Sequence, residues 1–102
     1  MTYNEIVTLL KSNNLLKDCT NVDLDINDIS YDSRSIKDNT LFVCKGLGFK
    51  EDYLNDSIKN GAICYMSEND YNKNIPKIIV TDIRKALAIV SLNFYKDNLF
   101  KI

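Results

Sequence analysis

Ile29-Ser30-Tyr31-Asp32-Ser33-Arg34-Ser35-Ile36-Lys37-Asp38-Asn39-Thr40-Leu41-Phe42-Val43-Cys44-Lys45-Gly46 joins two short apolar strands through a polar corner. Each apolar end can be buried in a sheet, which leaves Asp32, Ser33 and Arg34 at a strand's end as an acceptor, a hydroxyl and a guanidinium fork. Such a set suits a polar, phosphorylated ligand, with Ser33 donating to a phosphoryl or ribose oxygen and Arg34 supplying charge. The same tripeptide also makes a plain turn, in which Asp32 or Ser33 bonds nearby backbone and Arg34 pairs with a carboxylate.

Downstream, Lys45-Gly46-Leu47-Gly48-Phe49-Lys50 leaves the second strand and enters a helix. Its glycines would let backbone approach a ligand, and Phe49 could lie against a base; an ordinary strand-to-helix loop needs the same residues. The third glycine of the dinucleotide fingerprint is missing, and no Gly-x-x-x-x-Gly-Lys-Ser/Thr phosphate loop occurs in the chain. From Glu51 to Asn60, Leu54 and Ile58 share one face, acids come early and Lys59 late, and Gly61 can cap the end, so a helix is expected. Ala62-Ile63-Cys64-Tyr65-Met66 and Lys77-Ile78-Ile79-Val80 read as buried strands on either side of a polar loop ending in Pro76. Asp82 can cap a further helix in which Ile83, Ala86, Leu87, Val90 and Phe94 form a wide apolar face.

Upstream, Thr2-Tyr3-Asn4-Glu5 is a capping box, and Tyr3, Ile6, Val7 and Leu10 follow at helical spacing up to Asn13-Asn14. Val22, Leu24 and Ile26 alternate with polar residues and predict a half-buried strand running toward Ile29. The expected order is α-β-β-α-β-β-α, a single α/β layered domain over residues 1–97.

The 102 residues are 45% apolar and 26% charged, as in folded soluble domains, and 13 basic against 14 acidic residues give a net charge of -1. No basic block marks a nucleic-acid partner, no apolar run approaches the roughly 20 residues of a membrane span, and no signal-peptide layout opens the chain, which reads as cytoplasmic. With no histidine, Ser-His and Cys-His nucleophile activation are excluded. Cys19, Cys44 and Cys64 form no C-x-x-C pair and read as buried or idle thiols. Glu51, Asp52, Asp56 and Glu68 read as solvated faces rather than catalytic or metal-binding carboxylates, and the six tyrosines mostly as packing residues.

In order and at fitting intervals, Asp32-Ser33-Arg34, Leu41-Phe42-Val43-Cys44, Gly46, Tyr53, Gly61-Ala62, Val80-Thr81-Asp82-Ile83-Arg84 and Phe94-Tyr95 resemble the N-terminal domain of the Mur ligases of peptidoglycan synthesis. Within that family they are most similar to the branch that adds the third amino acid, the UDP-N-acetylmuramoyl-tripeptide synthetases. The resemblance implies a Rossmann-like domain that anchors the uridine-diphosphate end of UDP-N-acetylmuramoyl-L-Ala-D-Glu, with no catalysis of its own. By carry-over, Ser33 and Arg34 would form the substrate site with Gly46, Leu47, Gly48 and Phe49, the loop bordering the uracil and Arg34 either touching substrate or fixing the corner. An Asp-Gly pair common in the family's loop is replaced here by Lys50-Glu51-Asp52. Residues 98–102 would begin the linker and first strand of an ATP-binding domain. By the same resemblance, ATP and magnesium would belong to that domain, and the central and C-terminal domains of the ligase would be partners. The D-Ala-D-Ala-adding ligase of the family, or a stand-alone α/β interaction module, are the alternatives.

Overall fold

Thr2 accepts a hydrogen bond from the Glu5 backbone N–H while the Glu5 carboxylate accepts from the Thr2 N–H, so the capping box forms and starts helix α1 (Tyr3–Ser12). The computed structural model describes residues 1–99. Beyond α1 the order is β1 (Leu16–Cys19), β2 (Asp28–Ser30), β3 (Thr40–Val43), α2 (Glu51–Lys59), β4 (Cys64–Ser67), β5 (Lys77–Val80) and α3 (Ile83–Leu99). The five strands lie in one sheet in the order β1-β5-β4-β3-β2. Strands β2 to β5 are parallel to their neighbours, and β1 closes the far edge antiparallel to β5.

Alternation along the central strands sends side chains to two different layers. Leu41, Val43, Cys64, Met66, Ile78 and Val80 face α1 and α3, where Tyr3, Ile6, Leu10, Ala86, Val90 and Phe94 cover them. Phe42, Tyr65 and Ile79 face the other way, toward Leu54 of α2. The result is an α/β layered domain, as the sequence predicts, with helices on both faces of the sheet. Fully burying one such aliphatic side chain contributes about 1.5–3 kcal/mol.

Helix ends follow local chemistry. After α2 the Gly61 N–H donates to the Ile58 carbonyl and Ala62 N–H to that of Ser57, a Schellman closure made possible by the positive φ of Gly61. Asn14 plays the same part after α1, with Asn14 N–H on Lys11 and Leu15 N–H on Leu10. At the start of α3 the Asp82 carboxylate accepts from Lys85 N–H, and Glu68, exposed as expected, also accepts from Ile83 N–H and caps the helix.

The expected order α-β-β-α-β-β-α is corrected in one respect, because three strands rather than two precede α2. Leu16–Cys19 is a strand that no periodicity signals, since an edge strand of four residues with two exposed in the middle shows no alternation. Conversely, Val22-Leu24-Ile26 is an extended segment outside the sheet, apart from a single bridge between Thr2 and Asp25. Its apolar residues alternate because they pack against the α1 layer, and its backbone bonds tie Tyr3 N–H to the Leu24 carbonyl and Ile26 N–H to that of Met1. Helix α3 continues to Leu99, past the expected boundary at residue 98. The rest of the strand expected there, residues 100–102, lies outside the described residues.

Candidate ligand-binding site

Parallel strands bring the ends of β2 and β3 to one edge of the sheet, since Ser30 stands opposite Phe42. Ligands of open α/β sheets bind outside such carboxyl ends. The Asp-Ser-Arg corner leaves β2 there, and the Lys45–Lys50 loop leaves β3 beside it.

The corner is tightly built. Ser35 N–H donates to the Asp32 carbonyl at 3.0 Å, and Arg34 N–H to the Asp32 carboxylate at 2.9 Å. The Ser30 hydroxyl accepts from Asp32 N–H and donates to the Asp32 carbonyl. From α2, the Asn60 side-chain amide donates to the Ser33 carbonyl at 2.9 Å, pinning the corner to the helix end. Arg34 places Nε 3.0 Å and Nη2 3.2 Å from the two Asp32 carboxylate oxygens, a bidentate pair. That guanidinium, with the Arg34 backbone N–H, holds the Asp32 carboxyl below the usual carboxylate range and raises Arg34 in return. The turn geometry is therefore realised, and it leaves the half-buried Ser33 hydroxyl without a hydrogen-bond partner among the described residues.

Tyr31, Asp32, Ser33 and Arg34 line a cavity of about 560 Å³ together with Tyr53 and Asp56 from α2. That is the size of a small-ligand site. Ser33 and Arg34 are thus brought together. Gly46, Leu47, Gly48 and Phe49 stand on the same sheet edge but outside this lining: Gly46 turns the chain with φ +106°, and Leu47 is fully exposed. Phe49 packs its ring 6.4 Å from Tyr53 and 5.9 Å from Tyr71, so it is engaged with an aromatic row that leads to Tyr65.

Sequence reading did not place Tyr31, Tyr53 and Asp56 at the site. Tyr53 and Asp56 sit i, i+3 on the flank of α2 rather than on its buried face, and only the packing of α2 beside the corner brings that flank to the cavity. Cys44 and Cys64 are buried thiols pushed up to about 12 by desolvation, with no nucleophilic character. Among the described residues no group of three or more His, Cys, Asp or Glu is placed to hold a metal ion, and no helix is long and apolar enough to cross a membrane.

Sheet order and layering define an α/β domain with a polar corner at the carboxyl end of β2. By its sequence relatives, this chain belongs to the Mur ligases. It is 37% identical over 103 residues to "UDP-N-acetylmuramoyl-L-alanyl-D-glutamate--L-lysine ligase" of Streptococcus pyogenes serotype M2, a match covering 93% of this chain and 21% of that protein. It is 48% identical over 71 residues to the ligase of the same name from Streptococcus agalactiae serotype V, covering 70% and 15% respectively. The chain therefore spans about a fifth of the relatives it matches. In fold it is similar to MurF from Acinetobacter baumannii, with a TM-score of 0.63 at 21% identity over 83% of this chain and 19% of that one. No protein-family model matches the chain.

Proposed function

We propose that this domain anchors the uridine-diphosphate end of UDP-N-acetylmuramoyl-L-Ala-D-Glu in an ATP-dependent ligase of peptidoglycan synthesis. The observation that carries the reading is the cavity at the carboxyl edge of β2, where Ser33 offers an uncommitted hydroxyl beside the Arg34 fork. The names of the sequence relatives support L-lysine as the amino acid added. Structural likeness to the D-Ala-D-Ala-adding ligase is at 21% identity and concerns the fold alone, so the lysine reading is preferred.

In this reading Ser33 donates to a phosphoryl or ribose oxygen, and the Asp32–Arg34 pair holds the corner rigid. Gly46, Leu47, Gly48 and Phe49 form the neighbouring border toward the base. In the same reading, ATP and magnesium are held by another domain of the ligase, and amide-bond formation is the work of the whole enzyme in the cytoplasm. The anchor's contribution is positional: binding energy from the remote nucleotide end holds the reacting carboxylate in place, which lowers the barrier without any group here touching it.

Calorimetry on the chain with UDP and with the UDP-muramoyl dipeptide tests this. Binding is expected, and Ser33→Ala should weaken it about tenfold, as loss of a hydrogen bond to a charged group does. A folded domain that ignores both ligands at millimolar concentration would count against the anchoring function.

A further inference from the structure

Charge at the cavity does not balance for a diphosphate. Arg34 is neutralised where it stands by its bidentate bonds to Asp32, and Asp56 adds a second carboxylate to the lining. A ligand with two phosphate charges meets, in this lining alone, one arginine already paired and one carboxylate not paired with it. Discrimination in favour of such a ligand requires another cation.

Lys45 is tied to the lining through Tyr31. It lies two residues beyond β3, on the same sheet edge, and its Nζ is 4.7 Å from the centre of the Tyr31 ring, which itself lines the cavity. Among the described residues no carboxylate forms an ion pair with it. The manner of holding matters. A carboxylate would fix the ammonium and cancel its charge, as Asp32 does for Arg34; an aromatic face fixes it and leaves the charge available. Contact on one side also leaves ammonium protons free to donate, and lysine acts on phosphate as a point charge.

We infer that Lys45, positioned on the Tyr31 face, is a phosphate-binding residue of this site and supplies the positive charge that the paired Arg34 does not. The inference rests on the anchoring function proposed above and adds to it a residue outside the Asp-Ser-Arg corner and beyond Gly46, Leu47, Gly48 and Phe49 of the glycine loop. It also assigns Tyr31 a task, as the platform that holds the ammonium beside the cavity it lines.

Titrating the chain with UDP and with uridine, at low and at moderate salt, separates the possibilities. Lys45→Gln should raise the UDP dissociation constant about tenfold, leave uridine binding unchanged and flatten the salt dependence for UDP, while Lys45→Arg should restore most of the affinity. Equal loss for UDP and uridine would overturn the assignment, because it would mean that Lys45 only shapes the loop. So would UDP binding in Lys45→Gln that matches the unsubstituted chain while Ser33→Ala is weakened, a result that leaves the anchoring function standing. Absence of UDP binding in the unsubstituted chain removes both.

Discussion

Asp32, Ser33 and Arg34 show how three adjacent side chains divide their labour. Asp32 spends one carboxylate oxygen on the Arg34 backbone and side chain and the other on the end of the guanidinium, which closes the turn and frees the serine between them. The pair is exposed, Arg34 by 88% of its side chain, so its value lies in geometry rather than in stability. It has a titration signature. Because Arg34 depresses the Asp32 carboxyl, the pairing is fully present above the ordinary value of 3.8 and is lost only as pH falls through the lower folded-state value. NMR titration should place the Asp32 midpoint below 3.8, and Arg34→Gln should return it toward that value. An unchanged midpoint in the variant would show that the bidentate pair does not form in solution. The tripeptide alone was compatible with a turn and with a ligand grip; the turn forms, and it leaves the serine hydroxyl uncommitted at the cavity.

Helix ends in this chain were readable because each is a local contract between neighbouring residues. The capping box at Thr2–Glu5, the Asp82 cap and the Gly61 closure all involve partners within a few positions. Gly61 sits at φ +112°, a region costly for any residue with a Cβ. Gly61→Ala has open space around the added carbon and should still lower stability, by about 1 kcal/mol, from backbone strain alone. Chemical denaturation of the two forms measures this, and equal midpoints would contradict it. Strand β1 was not readable, for the opposite reason. Leu16-Lys17-Asp18-Cys19 is held by pairing with β5, from Leu16 opposite Val80 to Cys19 opposite Ile78 across an irregular register, and that partner is some sixty residues away in the chain. The alternation of Val22, Leu24 and Ile26 misled because burial against a helix layer and burial in a sheet leave the same two-residue rhythm.

Across the whole domain, buried polar chemistry binds the layers together. The Tyr3 hydroxyl, carried on α1, donates to the Lys77 carbonyl at 2.5 Å and accepts from Thr20 N–H at 3.1 Å, joining the helix layer to β5 and to the end of β1. Desolvation raises Tyr3 to about 12 from 10.0, and Cys44 and Cys64 to about 12 from 9.0. All three stay neutral in the fold at a pH where the unfolded chain ionises. The stability this represents is complete below pH 9.0 and drains away as pH rises toward about 12. Urea midpoints should therefore fall on crossing pH 9.0, and Cys64→Ala should fall less steeply while starting lower because of the cavity it leaves. A midpoint indifferent to pH in that range would mean the thiols are not sequestered. The layered α/β class, the three helices, four of the five strands and the position of the Asp-Ser-Arg corner at a strand end were all legible in residue order, since periodicity, caps and turns act between near neighbours. What folding alone decided was which surfaces meet: the antiparallel β1 edge, the Tyr53–Asp56 flank of α2 against the corner, and Lys45 over Tyr31. Those contacts join residues whose spacing in the chain carries no regular signal, and they come into being only when the hydrophobic faces of sheet and helices close on one another.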